Sequence, residues 1–384
     1  EPVKASNHMA LKAVFNTGFR ALPKDRMESA RAAAAYSDRN FGFRNYSRKD
    51  LRDSPETGNI NMTMKVDRDE STITVTCGKE DVEKAIKMLY LTMTEPYFDT
   101  AKNLERFKDS QVKALKKERS NKSIYDEEHR RMRFGNQPWR QEVTADHYAD
   151  IDMDLVKDVF RRSFCNYGML TIYVCDDLGN EEMENLKKMV AALPVDKADM
   201  AQMGQKHASW PLYRGRHRHM KQHKLQTVPK SEVNLSFKYE LKLKNEEFVI
   251  LDILDYVMDS RCMNRIREER GGTYHVSFST EIFPQGKVAE SSITFQTRPE
   301  MTDILVQDAQ ELMEEMAKGG PTEEEFENAR KYLSKHHHEA AVRNRDNLIK
   351  KLEGYMMKEL YGVDSQTDYI RMLEKTSRKD IKKM

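Results

Sequence analysis

Arg267 and Tyr274 are the residues best spaced to do chemistry in this chain. They bracket a bend in the stretch Met263-Asn264-Arg265-Ile266-Arg267-Glu268-Glu269-Arg270-Gly271-Gly272-Thr273-Tyr274-His275-Val276-Ser277-Phe278. Glycine tolerates positive φ and ends helices well, so Gly271-Gly272 is where a charged helix end can turn into a strand. Beyond the pair, Tyr274, Val276 and Phe278 alternate with His275, Ser277 and Ser279, the two-residue period of a strand with one buried face. A guanidinium and a phenol flanking one tight turn are two hydrogen-bond donors at a sheet end, able to grip a carbonyl or an oxyanion. The competing reading places Arg267 in a solvated charge cluster and Tyr274 in the core.

Other chemistries find little support. Cys77, Cys165, Cys175 and Cys262 are scattered with no CxxC spacing, so neither a disulfide framework nor a zinc ribbon is signalled, and they read as buried thiols. There is no His-Glu-x-x-His, no Gly-rich phosphate loop after a strand and no Gly-x-Ser-x-Gly. His336-His337-His338-Glu339-Ala340 begins like a zinc motif but has alanine where a second histidine is required, so it reads as a solvated polar helix face. The acidic residues are many, yet none forms a pair set apart from solvated faces.

Composition narrows the class. A chain of 384 residues with 38% apolar and 33% charged side chains is long enough for two or three cores with wide wetted surfaces. Its net charge of +2 argues against nucleic-acid binding through global electrostatics, and no apolar run is long enough to span a membrane. The N-terminus shows neither a signal peptide nor an initiator context, so the chain reads as a fragment of something longer.

The elements that must hold the bend are legible from periodicity. A strand is expected over Ala10 to Arg20, an alanine-rich helix over Met27 to Tyr36, and a hairpin with Ile60, Met62, Met64 and Val66 opposite Ile73, Val75 and Cys77. Helices follow around Ala85 to Met93, from Leu104 to Leu115 and from Met153 to Arg162, and Met169 to Val174 reads as a buried strand. Residues 196–230 crowd Arg214, Arg216, His217, Arg218, His219, Lys221, His223 and Lys224 with few apolar residues, and are expected to be a solvated linker. Then the order restarts. A long alternating strand runs from Val233 to Leu243, a helix starts at Glu246, the Arg267–Tyr274 bend follows, and a hairpin turns at Phe283-Pro284-Gln285-Gly286 into Val288 to Thr297. A helix through Leu305 and Met316 closes at Gly319-Gly320, and Thr322 with Glu325 forms a capping box for the next. The fold class expected is α+β: two duplicated αβ domains, 1–195 and 231–384, each an antiparallel sheet with helices packed on one face. The second copy ends where the first would add its Met169–Val174 strand, so either that strand lies outside the sequence or the second domain closes differently.

Two such domains, with Arg265-Ile-Arg-Glu-Glu-Arg-Gly-Gly-Thr-Tyr274 in the later copy, resemble the insulinase/pitrilysin (M16) family of zinc metallopeptidases, over nearly the whole chain. The resemblance implies that this is the C-terminal, non-zinc part of a clamshell. Arg267 and Tyr274 would reach the substrate across the chamber, with Gly271, Gly272 and Thr273 contacting it. One departure is as informative: where the family carries His-x-x-Glu-His on its first helix, this chain reads Ser29-Ala30-Arg31-Ala32-Ala33-Ala34-Ala35-Tyr36. No metal ligand stands there. The implied assembly therefore has zinc in a missing N-terminal half or partner subunit, a peptide substrate and no cofactor on this chain. The alternative is a catalytically inactive M16-like structural or binding subunit. The compartment stays open: exported bacterial members point to the periplasm, unpaired cysteines away from it.

Overall fold

The computed structural model describes residues 8–98, 100–117, 121–134, 142–175, 179–195, 228–340, 345–364 and 367–384. Most of the expected linker, with its basic and histidine-rich segment, lies outside the described residues, as do Gly135 and Pro138.

The first half of the chain runs β1 (His8–Phe15), α1 (Met27–Ser37), α2 (Arg48–Asp53), β2 (Asn61–Val66), β3 (Ser71–Gly78), α3 (Val82–Thr94), α4 (Ala101–Lys116), α5 (Asn121–Phe134), α6 (Ala145–Ala149), α7 (Met153–Phe164), β4 (Leu170–Cys175) and α8 (Asn180–Ala191). Its sheet is antiparallel in the order β2-β3-β1-β4, with Leu11 opposite both Val75 and Val174. The central strands β1 and β3 are buried at nearly every position, while the edge strand β2 alternates. Alanines 30, 32, 33 and 34 bring α1 against α7, and Phe15 meets Phe164 edge-on at 6.0 Å in the core between them.

Two features differ from the sequence reading, one a strand end and one the burial of a strand. The first strand stops at Phe15 rather than continuing to Arg20, and Gly18–Ala21 forms a 3-10 turn instead. Gly18 takes φ +58° with the backbone of residues 68–70 pressed where a Cβ would sit, and the Phe19 amide bonds the Asp67 carbonyl at 2.8 Å, so the chain folds onto the hairpin tip. β4 sits at the sheet edge, and only Tyr173 and Cys175 of it are fully buried.

The second half runs β5 (Ser231–Glu240), α9 (Asn245–Cys262) passing directly into a π-helical segment (Met263–Glu269), β6 (Val276–Phe283), β7 (Val288–Thr297), α10 (Thr302–Gly319), α11 (Glu323–Ala340), α12 (Arg345–Tyr361), α13 (Tyr369–Lys375) and α14 (Arg378–Lys383). Its sheet is antiparallel in the order β5-β7-β6, with Phe237 opposite Ser291 and Ser291 opposite Thr280. Among the described residues, β5 pairs with β7 alone. The core joins Val249, Ile253, Val257 and Cys262 of α9 to Phe278, Ile293 and Phe295 of the sheet and Leu305, Leu312 and Met316 of α10. The capping box at Thr322 is present: the Thr322 amide donates to Glu325 Oε2 at 2.7 Å and the Glu325 amide to Thr322 Oγ1 at 3.2 Å.

The architecture is the mixed helical and antiparallel α+β class expected. By contacts the chain forms two compact units: one holds β1–β4, most of the helices before β5 and residues 345–353, and the other holds β5–β7, α9–α11, α13, α14 and residues 121–129 and 354–361. Among the described residues no helix is long and apolar enough to cross a membrane.

Candidate functional site

The bend around Gly271 grows out of α9. Val249, Ile253, Val257, Cys262 and Ile266 keep one apolar stripe inward, and Ile266 is fully buried inside the π-helical segment. With Ile266 pinned, its neighbours Arg265 and Arg267 must point elsewhere. The wide turn shows in the Arg270 amide reaching the Arg265 carbonyl at 3.2 Å, five residues back. Such π turns are rare and recur at functional sites. The Gly271 amide then bonds the Arg267 carbonyl at 2.9 Å, and Gly271 itself takes φ +60°, ending the helix where the sequence places the end.

Four arginines line this stretch, and three are clamped. Arg261 meets Glu325 through Nε and Nη2, both at 2.7 Å; Arg265 meets Glu315 at 2.9 and 3.2 Å; Arg270 meets Asp308 at 2.8 and 3.0 Å. Two-pronged pairs of this kind fix a guanidinium in direction as well as place. Arg267 differs: among the described residues its one ion pair is a 3.6 Å approach from Nε to Glu268, its own neighbour, and its side chain is 42% exposed.

Tyr274 lies outside the strand. β6 begins at Val276, and Tyr274 is 98% exposed, whereas Val276 and Phe278 are buried. The expected alternation fails at this residue because Thr273 Oγ1 donates to the His275 carbonyl at 2.8 Å and accepts from the His275 amide at 3.2 Å, a local turn that takes the backbone out of extended geometry. The core reading of Tyr274 is excluded with it. Gly272 is buried, and its carbonyl accepts from Thr297 Oγ1 at 2.6 Å. Gly271, Gly272 and Thr273 thus form one anchored bend, with Arg267 before it and Tyr274 after it. Among the described residues no hydrogen bond joins the guanidinium to the phenol.

Three aspartates of α9 were missed by the sequence reading, and two of them bear on how the sheet can bind. The Phe278 amide donates to Asp259 Oδ1 at 2.9 Å and the Thr280 amide to Asp255 Oδ2 at 3.0 Å, while Tyr369 donates to Asp252 at 2.7 Å. β6 is an edge strand, and these carboxylates from α9 occupy two of its outward-facing amides. Burial pushes the Asp255 carboxyl up to about 6. The available signal was the acidic recurrence at 252, 255 and 259 along one side of an otherwise apolar helix.

Among the described residues nothing is placed to hold a zinc ion. On α1, Ser29, Ala30, Ala32, Ala33, Ala34 and Tyr36 are buried and offer no imidazole or carboxylate, and among the described residues no three His, Cys, Asp or Glu side chains are placed to share a metal. His337 stacks flat on Tyr369 at 4.8 Å, while His336 meets Tyr332 edge-on and His338 Nδ1 donates to the Ser334 carbonyl within α11, both histidines staying exposed as a polar helix face. Burial pushes Cys77 and Cys262 up to about 12 and Cys165 to about 11, which leaves these three thiols inert.

Residues 160–333 match the family model described as the peptidase M16 inactive domain. The periplasmic protease PqqL from Escherichia coli superposes with a TM-score of 0.76 at 16% identity, covering 98% of this chain and 41% of that one. A peptidase M16 inactive domain from Pseudomonas fluorescens gives 0.72 at 17% identity, over 98% of this chain and 89% of that one. The first half of PqqL gives 0.72 at 12% identity, over 98% and 83%. At these identities the likeness is one of fold, and the chain spans about two fifths of the whole PqqL protease. No curated protein matches the sequence.

Proposed function

We propose that this chain, whose residues 160–333 match the family model described as the peptidase M16 inactive domain, is the non-zinc half of an M16 endopeptidase. It closes the clamshell chamber over an extended peptide and lends Arg267 and Tyr274 to the reacting carbonyl. The observation that carries this reading is the contrast within one bend. Arg261, Arg265 and Arg270 are each held by a carboxylate and Gly272 is anchored from below, yet Arg267 is left unclamped and the Tyr274 ring stands almost wholly in water. Leaving a Tyr side chain out forgoes about 2 kcal/mol of burial, and a rigid loop with an exposed aromatic and a spare cation suits a partner group. The occupied amides of β6 turn strand addition in this unit toward its other edge, β5. The helix α1 offers no imidazole or carboxylate where the family's zinc motif would stand, which supports placing the proposed metal in an N-terminal half or separate subunit.

The test is a quenched-peptide assay on this chain alone and on the chain combined with a zinc-bearing M16 half. The chain alone is expected to cleave nothing. In the combination, Arg267→Ala and Tyr274→Phe are each expected to lower turnover by about a hundredfold, the scale of losing one oxyanion donor. Unchanged hydrolysis with both substitutions overturns the reading and leaves an inactive binding subunit.

A further inference from the structure

The bend that carries Arg267 and Tyr274 is seated on α10, and one side chain of that helix does more than pack. Leu305, Asp308, Ala309, Leu312 and Met316 form the buried face of α10. Asp308 is the lone carboxylate among them, 3% exposed. Burying a carboxylate on an apolar face is costly unless it is paired and hydrogen-bonded. Its partner is Arg270, half in solvent, gripped at 2.8 Å through Nε and 3.0 Å through Nη2 at the last residue before Gly271. The next contact is steric: Leu305 Cδ1 lies 2.7 Å from where a Cβ on Gly272 would be, so the Gly272 backbone rests directly on the same helix face. The third is the Thr297 hydroxyl on the Gly272 carbonyl. A carboxylate, a methyl and a hydroxyl thus fix three points on Arg270 and Gly272, between the two groups that the proposed function brings to substrate.

We infer that Asp308 is a positioning residue: through Arg270 it sets the bend that presents Arg267 and Tyr274, without touching substrate itself. This rests on the role proposed for that pair. Displacing a reacting group by a fraction of an ångström suffices to slow a reaction while the rest of the fold stays intact. Asp308→Asn keeps shape and burial but loses the charge that holds both prongs. Arg270→Lys removes the second prong from the solvent side and serves if the buried substitution impairs folding.

Hydrogen exchange on the chain by itself reads the clamp. In both variants the amides of residues 271–275 are expected to exchange about tenfold faster, with α9 unchanged. Unchanged exchange at the bend, or equal loosening of α9, overturns the inference. In the combination with a zinc-bearing half, Asp308→Asn is expected to lower kcat about tenfold with KM within about twofold, and to add little on the background of Arg267→Ala with Tyr274→Phe, because both groups that it positions are then gone. Losses that multiply overturn it. If Tyr274→Phe and Arg267→Ala leave turnover untouched, the proposed role of the bend fails, while the exchange result still reports whether Asp308 holds it.

Discussion

Arg261 on α9 and Glu325 at the start of α11 face each other as a two-pronged pair, both contacts 2.7 Å, and Arg261 Nη2 also donates to the Gly320 carbonyl at 3.1 Å. One guanidinium thereby ties the end of α9, the end of α10 and the first turn of α11. Glu325 also serves the capping box with Thr322, so it holds a guanidinium and a helix start together.

Glu325→Gln separates these duties, because glutamine can still cap but carries no charge. The hydrogen bond from Arg261 holds the Glu325 carboxyl at about 2, well below the ordinary value of 4.5. A depressed carboxyl stabilises the fold fully above its unfolded value and loses that contribution as pH falls from about 4.5 to 2. The variant is expected to cost about 1 kcal/mol at pH 7, discounted for the partly exposed site. Its deficit should shrink across the acid window. Thermal melts at pH 7, 4 and 2.5 check this; a deficit independent of pH contradicts it.

The two glycines of the bend should respond differently to alanine. At Gly271 nothing lies within 4 Å of a Cβ, so Gly271→Ala pays only for a residue at φ +60°, about 1 kcal/mol. At Gly272 the new methyl meets Leu305, which is fully buried and has no space to yield, so Gly272→Ala is expected to cost about 2 kcal/mol or more. Urea midpoints order the pair; the reverse order would mean that the bend is not seated on α10.

Asp38 gives a prediction of opposite pH sense. It follows α1, its Oδ1 is buried without a hydrogen-bond partner, and burial pushes its carboxyl up to about 7 from 3.8. The folded chain keeps this proton up to about pH 7 while the unfolded chain releases it near 4, so wild-type stability falls as pH rises through that window. Asp38→Asn stays neutral throughout. It should be more stable than wild type at pH 8 by on the order of 2 kcal/mol, the gap closing toward pH 4. Denaturation at both pH values measures it, and a variant less stable at pH 8 would show that the charged carboxylate is wanted.

The sequence by itself determined what is local. Period-two runs placed the hairpins Asn61–Gly78 and Val276–Thr297, period 3.6 placed α3, α9 and α10, the glycine pair placed the helix end, and Thr322 with Glu325 placed a cap. Each of these signals is written within a few residues, because burial of one face repeats with the geometry of the element that buries it. Only the tertiary structure decided which arginines are clamped and which is spare. The deciding carboxylates, Asp308, Glu315 and Glu325, lie 38, 50 and 64 residues away from their partners in the chain, and nothing in a charged helix face says which distant helix will answer it. The same holds for Tyr274. Alternation assigned it to the inner face of a strand, and a hydroxyl one residue earlier, bonding the backbone one residue later, turned it out into water instead.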